Sequence, residues 1–99
     1  MTIRFMQEAE SELGDANAYY EAQSAGLRTE LALEGRGDLV RIEEHPQAWQ
    51  LLGKRVRRYR LNRFPYGLIY AELPSEIVIL AVMHLHRRPD YWRGRMAQI

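Results

Sequence analysis

Reactive chemistry in this chain is densest in one stretch near the C-terminus, His84-Leu85-His86-Arg87-Arg88-Pro89-Asp90-Tyr91-Trp92. Cleaving a phosphodiester without a metal needs cations to neutralise the phosphate in the transition state and a group that moves a proton. Arg, His and Tyr are the residue types that supply both. The competing reading is structural: Tyr91 and Trp92 anchor a last helix in the core, and Arg87 and Arg88 are solvated around it. The residue types weigh Trp92 toward the core and leave His84 and Arg87 open between the two readings.

Other constellations fail on spacing or composition. The histidines are His45, His84 and His86. The last two, at i and i+2, would offer two ligands from one strand face, but the only carboxylate close in sequence is Asp90, so no metal is expected. There is no Gly-rich phosphate loop, dinucleotide fingerprint or HExxH helix, and no cofactor is expected. The chain has no cysteine, which removes thiol nucleophiles, thiolate metal sites and disulfides and reads as a cytoplasmic protein. Ser11, Ser24 and Ser75 lack the surroundings of a nucleophile. Met1 to Gln7 holds no apolar run of signal-peptide length, and no segment approaches the roughly 20 apolar residues that span a bilayer, so membrane insertion is not expected.

The net charge of +1 conceals a strong polarity: residues 1–50 carry four arginines against ten acids, residues 51–99 ten Lys or Arg against three. Lys54, Arg55, Arg57, Arg58, Arg60 and Arg63 fall within ten positions with no acid among them. Such a run gives one face a positive potential that suits nucleic acid or an acidic protein segment. It is equally the pattern of a solvated strand whose arginines pair with the acidic half of the same fold.

The elements that would position these groups read as follows. Ninety-nine residues, 46% of them hydrophobic, make one domain over 1–99. Thr2 to Met6 alternates as a short half-buried strand. From Gln7 to about Ser24, Ala9, Leu13, Ala16 and Tyr20 form one helical stripe, with Glu8, Glu10, Glu12 and Asp15 read as lying outside it. After Ala25-Gly26 a second stripe runs through Leu27, Leu31, Leu39 and Ile42 until His45-Pro46 stops it. Gly35 and Gly37 inside that helix each cost about 1 kcal/mol relative to alanine, so a bend or break is expected there. Trp49 to Gly53 reads as a connection. Strands follow at Lys54 to Leu61, Gly67 to Leu73 and Glu76 to about His84, with a turn at Asn62 to Tyr66. The unbroken apolar run Ile77 to Met83 suits a strand covered on both faces. Pro89 opens a short final helix containing Tyr91, Trp92 and Met96. The fold expected is α+β, in the order β-α-α-β-β-β-α: a helical hairpin on a mainly antiparallel four-stranded sheet.

These residues resemble the RelE/ParE superfamily of toxins from type II toxin–antitoxin modules, over nearly the whole chain. The opening matches through Phe5, Ala9, Glu12, Leu13, Ala16, Tyr19, Tyr20, Glu21 and Gly26-Leu27. More specific are Arg63-Phe64-Pro65-Tyr66, Ile69-Tyr70, Ile77 to Val82, and then His84, Arg87, Pro89, Tyr91, Trp92 and Arg95, which resemble the ParE-like branch. The resemblance implies the compact toxin fold of the superfamily and a cognate antitoxin whose acidic, amphipathic segment covers the hairpin and sheet edge in a hetero-oligomer. The ParE-like branch implies inhibition of DNA gyrase through a binding surface, for which Arg63, His84, Arg87, Arg88, Tyr91, Arg93 and Arg95 are the candidates. The RelE-like branch implies cleavage of mRNA on the ribosome, with Arg58, Arg60, Arg87 and His84 or Tyr91 at the site. Here Gly67 stands where that branch has an arginine, and Arg58 and Arg60 replace lysines. Arginine remains charged and does not readily donate a proton, which weakens the nuclease reading. A relative that binds its antitoxin without toxicity is a third reading.

Overall fold

The computed structural model describes all of Met1–Ile99. Strand β1 (Thr2–Phe5) leads into helices α1 (Gln7–Gln23) and α2 (Leu27–Glu44). Then come β2 (Gln50–Leu51), β3 (Val56–Arg60), β4 (Tyr66–Glu72), β5 (Glu76–His84) and a 3-10 helix, Arg93–Gln98. The sheet order is β1-β5-β4-β3-β2, with β1 parallel to β5 and the other pairings antiparallel. The α+β class and the helical hairpin are as expected, but the sheet has five strands, not four. The additional strand is β2, which pairs Gln50 with Arg58 and Leu51 with Arg57. Two residues are too few to show an alternation, so the segment reads as a connection in the sequence.

The hairpin turns at Gly26, whose φ of 89° lies in the left-handed region that glycine enters without steric cost. The Glu21 carboxylate accepts from the Gly26 and Arg28 backbone N–H groups, both at 3.1 Å, and so satisfies donors at the start of α2. Helix α2 runs unbroken through Gly35 and Gly37, contrary to the expected bend. Leu31 on one side of the glycines and Ile42 on the other are buried in the core, and tertiary packing of this kind overrides the local propensity.

The sheet is covered on both faces, as the apolar run of β5 suggests. On the hairpin side, Ala9, Ala16, Leu31 and Ile42 pack with Tyr59, Leu68, Tyr70, Ile77, Ile79 and Val82. On the other, Val56, Ile69, Val78, Leu80 and Met83 pack with Trp92 and with the half-buried Met96 and Ile99. The final helix does not start at Pro89. The chain turns through Asp90 to Trp92, then winds as a 3-10 helix whose amides bond three residues back, as in Arg95 N–H to the Trp92 carbonyl at 2.9 Å. No helix is long and apolar enough to cross a membrane.

One irregularity in β5 positions the site. Ile69 faces Ala81 and Tyr70 faces Ile79, which leaves Leu80 without a partner on β4. Leu80 and Ala81 consequently turn to the same face, the signature of a bulge. On its other edge β5 is paired with β1 only as far as Ile79. From Leu80 onward that edge has no strand beside it and must find its hydrogen bonds elsewhere.

Candidate functional site

Glu12, on α1, closes that open edge. One carboxylate oxygen accepts from the Val82 N–H (3.0 Å) and from Arg95 Nη1 (3.0 Å); the other accepts from Arg95 Nη2 (2.9 Å), the Tyr91 hydroxyl (2.8 Å) and Arg87 Nη1 (3.4 Å). Arg95 Nη1 also donates to the Leu80 carbonyl at 2.8 Å. The bulge thus exposes one carbonyl and one amide, and a bidentate ion pair from outside the sheet satisfies both. The Glu12 and Arg95 side chains are only 13% and 15% exposed, so this is a largely desolvated pair rather than a surface contact.

Protonation follows from these contacts. Burial alone would raise the Glu12 carboxyl, but hydrogen bonds from Arg95, Tyr91 and Val82 outweigh it and hold it below the usual carboxylate value. Burial, followed by donation to the Glu12 carboxylate, pushes the Tyr91 phenol far above its ordinary value of 10. Arg87 stacks on the Tyr91 ring at 3.7 Å from its centre, and Arg95 lies 5.1 Å from the same centre. Tyr91 is therefore a protonated phenol that donates to the Glu12 carboxylate, with two guanidiniums close to its ring.

The other candidates are spread over two faces. His84 packs its ring edge-on against Tyr66 (5.2 Å) and His86 (5.3 Å), and its Nδ1 accepts from the His86 N–H at 3.1 Å. That side of the sheet also holds Tyr20 and Phe64, so an aromatic row runs from exposed Tyr19 through Tyr20 and Tyr66 to the two histidines. Arg88 is exposed and has no side-chain partner. Arg93 bonds Asp90 at 2.9 Å and lies 4.7 Å from the centre of the buried Trp92 ring. Arg63 bonds Glu30 at 2.9 Å. Arg58 and Arg60 project from β3 with Val56, on the face opposite Tyr59, and are two strands away from the open edge of β5, about 10 Å at ordinary strand spacing. Arg58 bonds the Gln50 amide at 2.6 Å; Arg60 is exposed without a partner. The structure brings Arg87, Tyr91 and Arg95 together around Glu12, and keeps Arg58, Arg60 and Arg63 apart from them.

Gly67 has a local cause. A Cβ there would stand 3.1 Å from Arg58 Cγ and 3.2 Å from Cδ, so the Arg58 stem lies where a side chain at position 67 would go. Beyond the paired histidines, no three ligand-type side chains gather as a metal site.

Two site residues escape the sequence reading. Glu12 is three residues after Ala9 and four before Ala16, on the buried stripe and not outside it. Asp38, seven after Leu31 and four before Ile42, is likewise buried on α2, where its Oδ1 accepts from the Tyr59 hydroxyl at 2.6 Å and from Arg41 at 3.0 Å. In both cases helical spacing was the available signal.

Comparison with known proteins agrees with the fold. The family profile described as "ParE toxin of type II toxin-antitoxin system, parDE" matches residues 3–89, from β1 through Pro89, stopping short of Tyr91. Among solved structures, a chain of the "Chromosomal ParDE TA system from P. aeruginosa" superposes with a TM-score of 0.63 at 20% identity, covering 87% of this chain and 97% of that one. At that identity the likeness speaks for the fold. No curated protein gives a significant sequence match.

Proposed function

Since the chain belongs to the ParE toxin family of type II toxin–antitoxin systems, we propose that it inhibits DNA gyrase in the cytoplasm and that a cognate antitoxin neutralises it in a hetero-oligomer. The observation that carries this reading is the state of Tyr91. Its hydroxyl donates to the Glu12 carboxylate, and the Arg87 and Arg95 guanidiniums lie 3.7 and 5.1 Å from its ring centre. A general acid must be free to give up its proton at working pH, whereas a binding surface needs only fixed shape and charge. The partnerless Arg88, the part-paired Arg87 and the neighbouring His84 supply such a surface beside the open edge of β5, while Arg93 lies toward β3, where it donates to the Leu52 carbonyl, and Arg63 stacks on Phe64 beside Tyr20.

The test follows labelled thymidine and labelled amino acid in cells during the first minutes after this chain is induced alone, together with supercoiling by gyrase in the presence of purified chain. Thymidine incorporation is expected to fall first, and supercoiling to be inhibited. An earlier fall in amino-acid incorporation with intact supercoiling would overturn the reading in favour of ribosome-dependent mRNA cleavage. Unchanged incorporation of both labels in cells making folded protein would reduce the chain to an antitoxin-binding relative.

A further inference from the structure

The hairpin does not fill the space between itself and the sheet. A cavity of about 220 Å³ remains there, lined mainly by apolar side chains that include Phe5, Leu13, Leu31, Leu39, Leu68 and Val82. It opens to solvent at one side, where Ala32 and Arg36 of its lining are exposed. An enclosed apolar cavity of about 150 Å³ takes up benzene, so this one has room for a body somewhat larger. Two polar groups stand among the lining residues. Asn17, on α1, has a buried Oδ1 without a hydrogen-bond partner, and Arg36, on α2, is an exposed guanidinium with no carboxylate partner. Gly35 also lines the cavity, and a Cβ placed on it would meet no atom within 4 Å.

We propose that this cavity binds a small amphiphilic carboxylate, a fatty acid of about six to ten carbons. Its tail lies between the hairpin and β4–β5. Its carboxylate accepts from Arg36 and from the Asn17 amide, which presents its NH2 group after a half-turn about the terminal bond. Charge decides the head group: the cation in the lining has no internal counter-charge, and Asn17 adds a donor that no protein group uses. An alcohol or amine of the same length would leave Arg36 unpaired. The site is separate from the Glu12 cluster, and its occupancy does not depend on the target of the toxin.

The probe is octanoate, titrated below its micellar range into the isotopically labelled full chain and followed by NMR. Saturable shifts are expected at Leu13, Leu68 and Val82, with contacts from the terminal methyl of the ligand to their methyl groups. Arg36→Gln should weaken binding by about two- to fivefold, as loss of a solvent-exposed ion pair does. Gly35→Leu, which puts a side chain into open space and favours the helix, should abolish binding in a protein that remains folded by circular dichroism. The proposal is overturned if no saturable shift appears. It is also overturned if octanol binds as tightly as octanoate, or if methyl contacts map outside the cavity. Capture of an apolar side chain from an antitoxin peptide, with octanoate failing to compete, would assign the cavity to a protein partner instead.

Discussion

Removing the Glu12 carboxylate should cost this domain a large part of its stability, because three elements meet on it. Glu12→Ala would leave the Val82 amide, the Tyr91 hydroxyl and the Arg95 guanidinium without their acceptor. Stripping one partner from a largely buried ion pair costs about 3–5 kcal/mol. A domain of this size loses roughly 4–8 °C of melting temperature per kcal/mol, so a drop of about 12 °C or more follows. Glu12→Gln keeps an acceptor oxygen but turns an amide NH2 toward cationic and hydroxyl donors; its cost should fall near 1–3 kcal/mol. Urea unfolding read by tryptophan fluorescence is the assay, since wholly buried Trp92 packs against the segment that Glu12 tethers. The pairwise part is isolated by a cycle with Arg95→Met, in which the double variant Glu12→Ala/Arg95→Met should be much less unstable than the sum of the two singles. A loss below about 1 kcal/mol for Glu12→Ala, or strict additivity in the cycle, would refute the argument that this pair closes the bulge.

Three further outcomes follow. Because its folded-state pKa is depressed, Glu12 contributes stability above the ordinary carboxylate value of 4.5 that is lost as pH falls through the folded pKa. Asp38, raised from 3.8 chiefly by burial, acts with opposite sign, its folded state binding a proton more readily. Urea midpoints of the wild type should therefore fall on acidification from pH 5 more steeply than those of Glu12→Gln, and parallel curves would contradict the assignment. Trp92→Ala should destabilise by about 3–5 kcal/mol in the same assay. Trp92→Phe should cost far less, because the indole Nε1 it removes is buried without an acceptor. In induced cells Arg88→Glu should reduce toxicity while stability stays within about 0.5 kcal/mol, since that side chain is exposed and makes no hydrogen bond or ion pair. Arg87→Glu should lower both toxicity and stability, because it places a carboxylate beside Glu12 and unstacks Tyr91.

What the sequence discloses and what it hides divide along physical lines. Period carries β1, α1, α2 and β3, and the apolar runs between turn residues carry β4 and β5. Neither carries β2, where two residues owe their strand geometry entirely to Arg57 and Arg58 on the neighbouring strand β3. The bulge at Leu80 is invisible for a related reason. Apolar residues stand on both sides of it, and an extra one leaves the pattern unbroken. Once that bulge is missed, nothing marks Glu12 as the residue that serves it, although its place in the stripe would have shown it pointing inward. The final segment fails differently: Pro89 is a fair helix opener, but Arg95 has to reach Leu80 and Glu12, and the tighter 3-10 winding accompanies that reach.

The charge polarity of the chain can now be divided between folding and binding. Part of it is internal, since Glu12 from the acidic half neutralises Arg95 and contacts Arg87, and Glu30 meets Arg63. That accounts for only one member, Arg63, of the basic run from Lys54 to Arg63. Arg57 donates to the Trp49 carbonyl and Arg58 to the Gln50 amide, while Lys54, Arg55 and Arg60 meet no acid. Intramolecular pairing therefore leaves five cations of that run uncompensated. Surface ion pairs are worth little to a fold, and so is their absence; an unneutralised cluster does raise the association rate with an anionic partner. The surplus lies on β3 and in the turn before it, whereas the tethered arginines lie at the edge of β5. The protein thus offers two sets of cations, one held rigidly by Glu12 at the edge of β5 and one on and before β3, where Lys54, Arg55 and Arg60 are exposed. A partner that needs fixed geometry would engage the first, and an acidic wrapping segment the second.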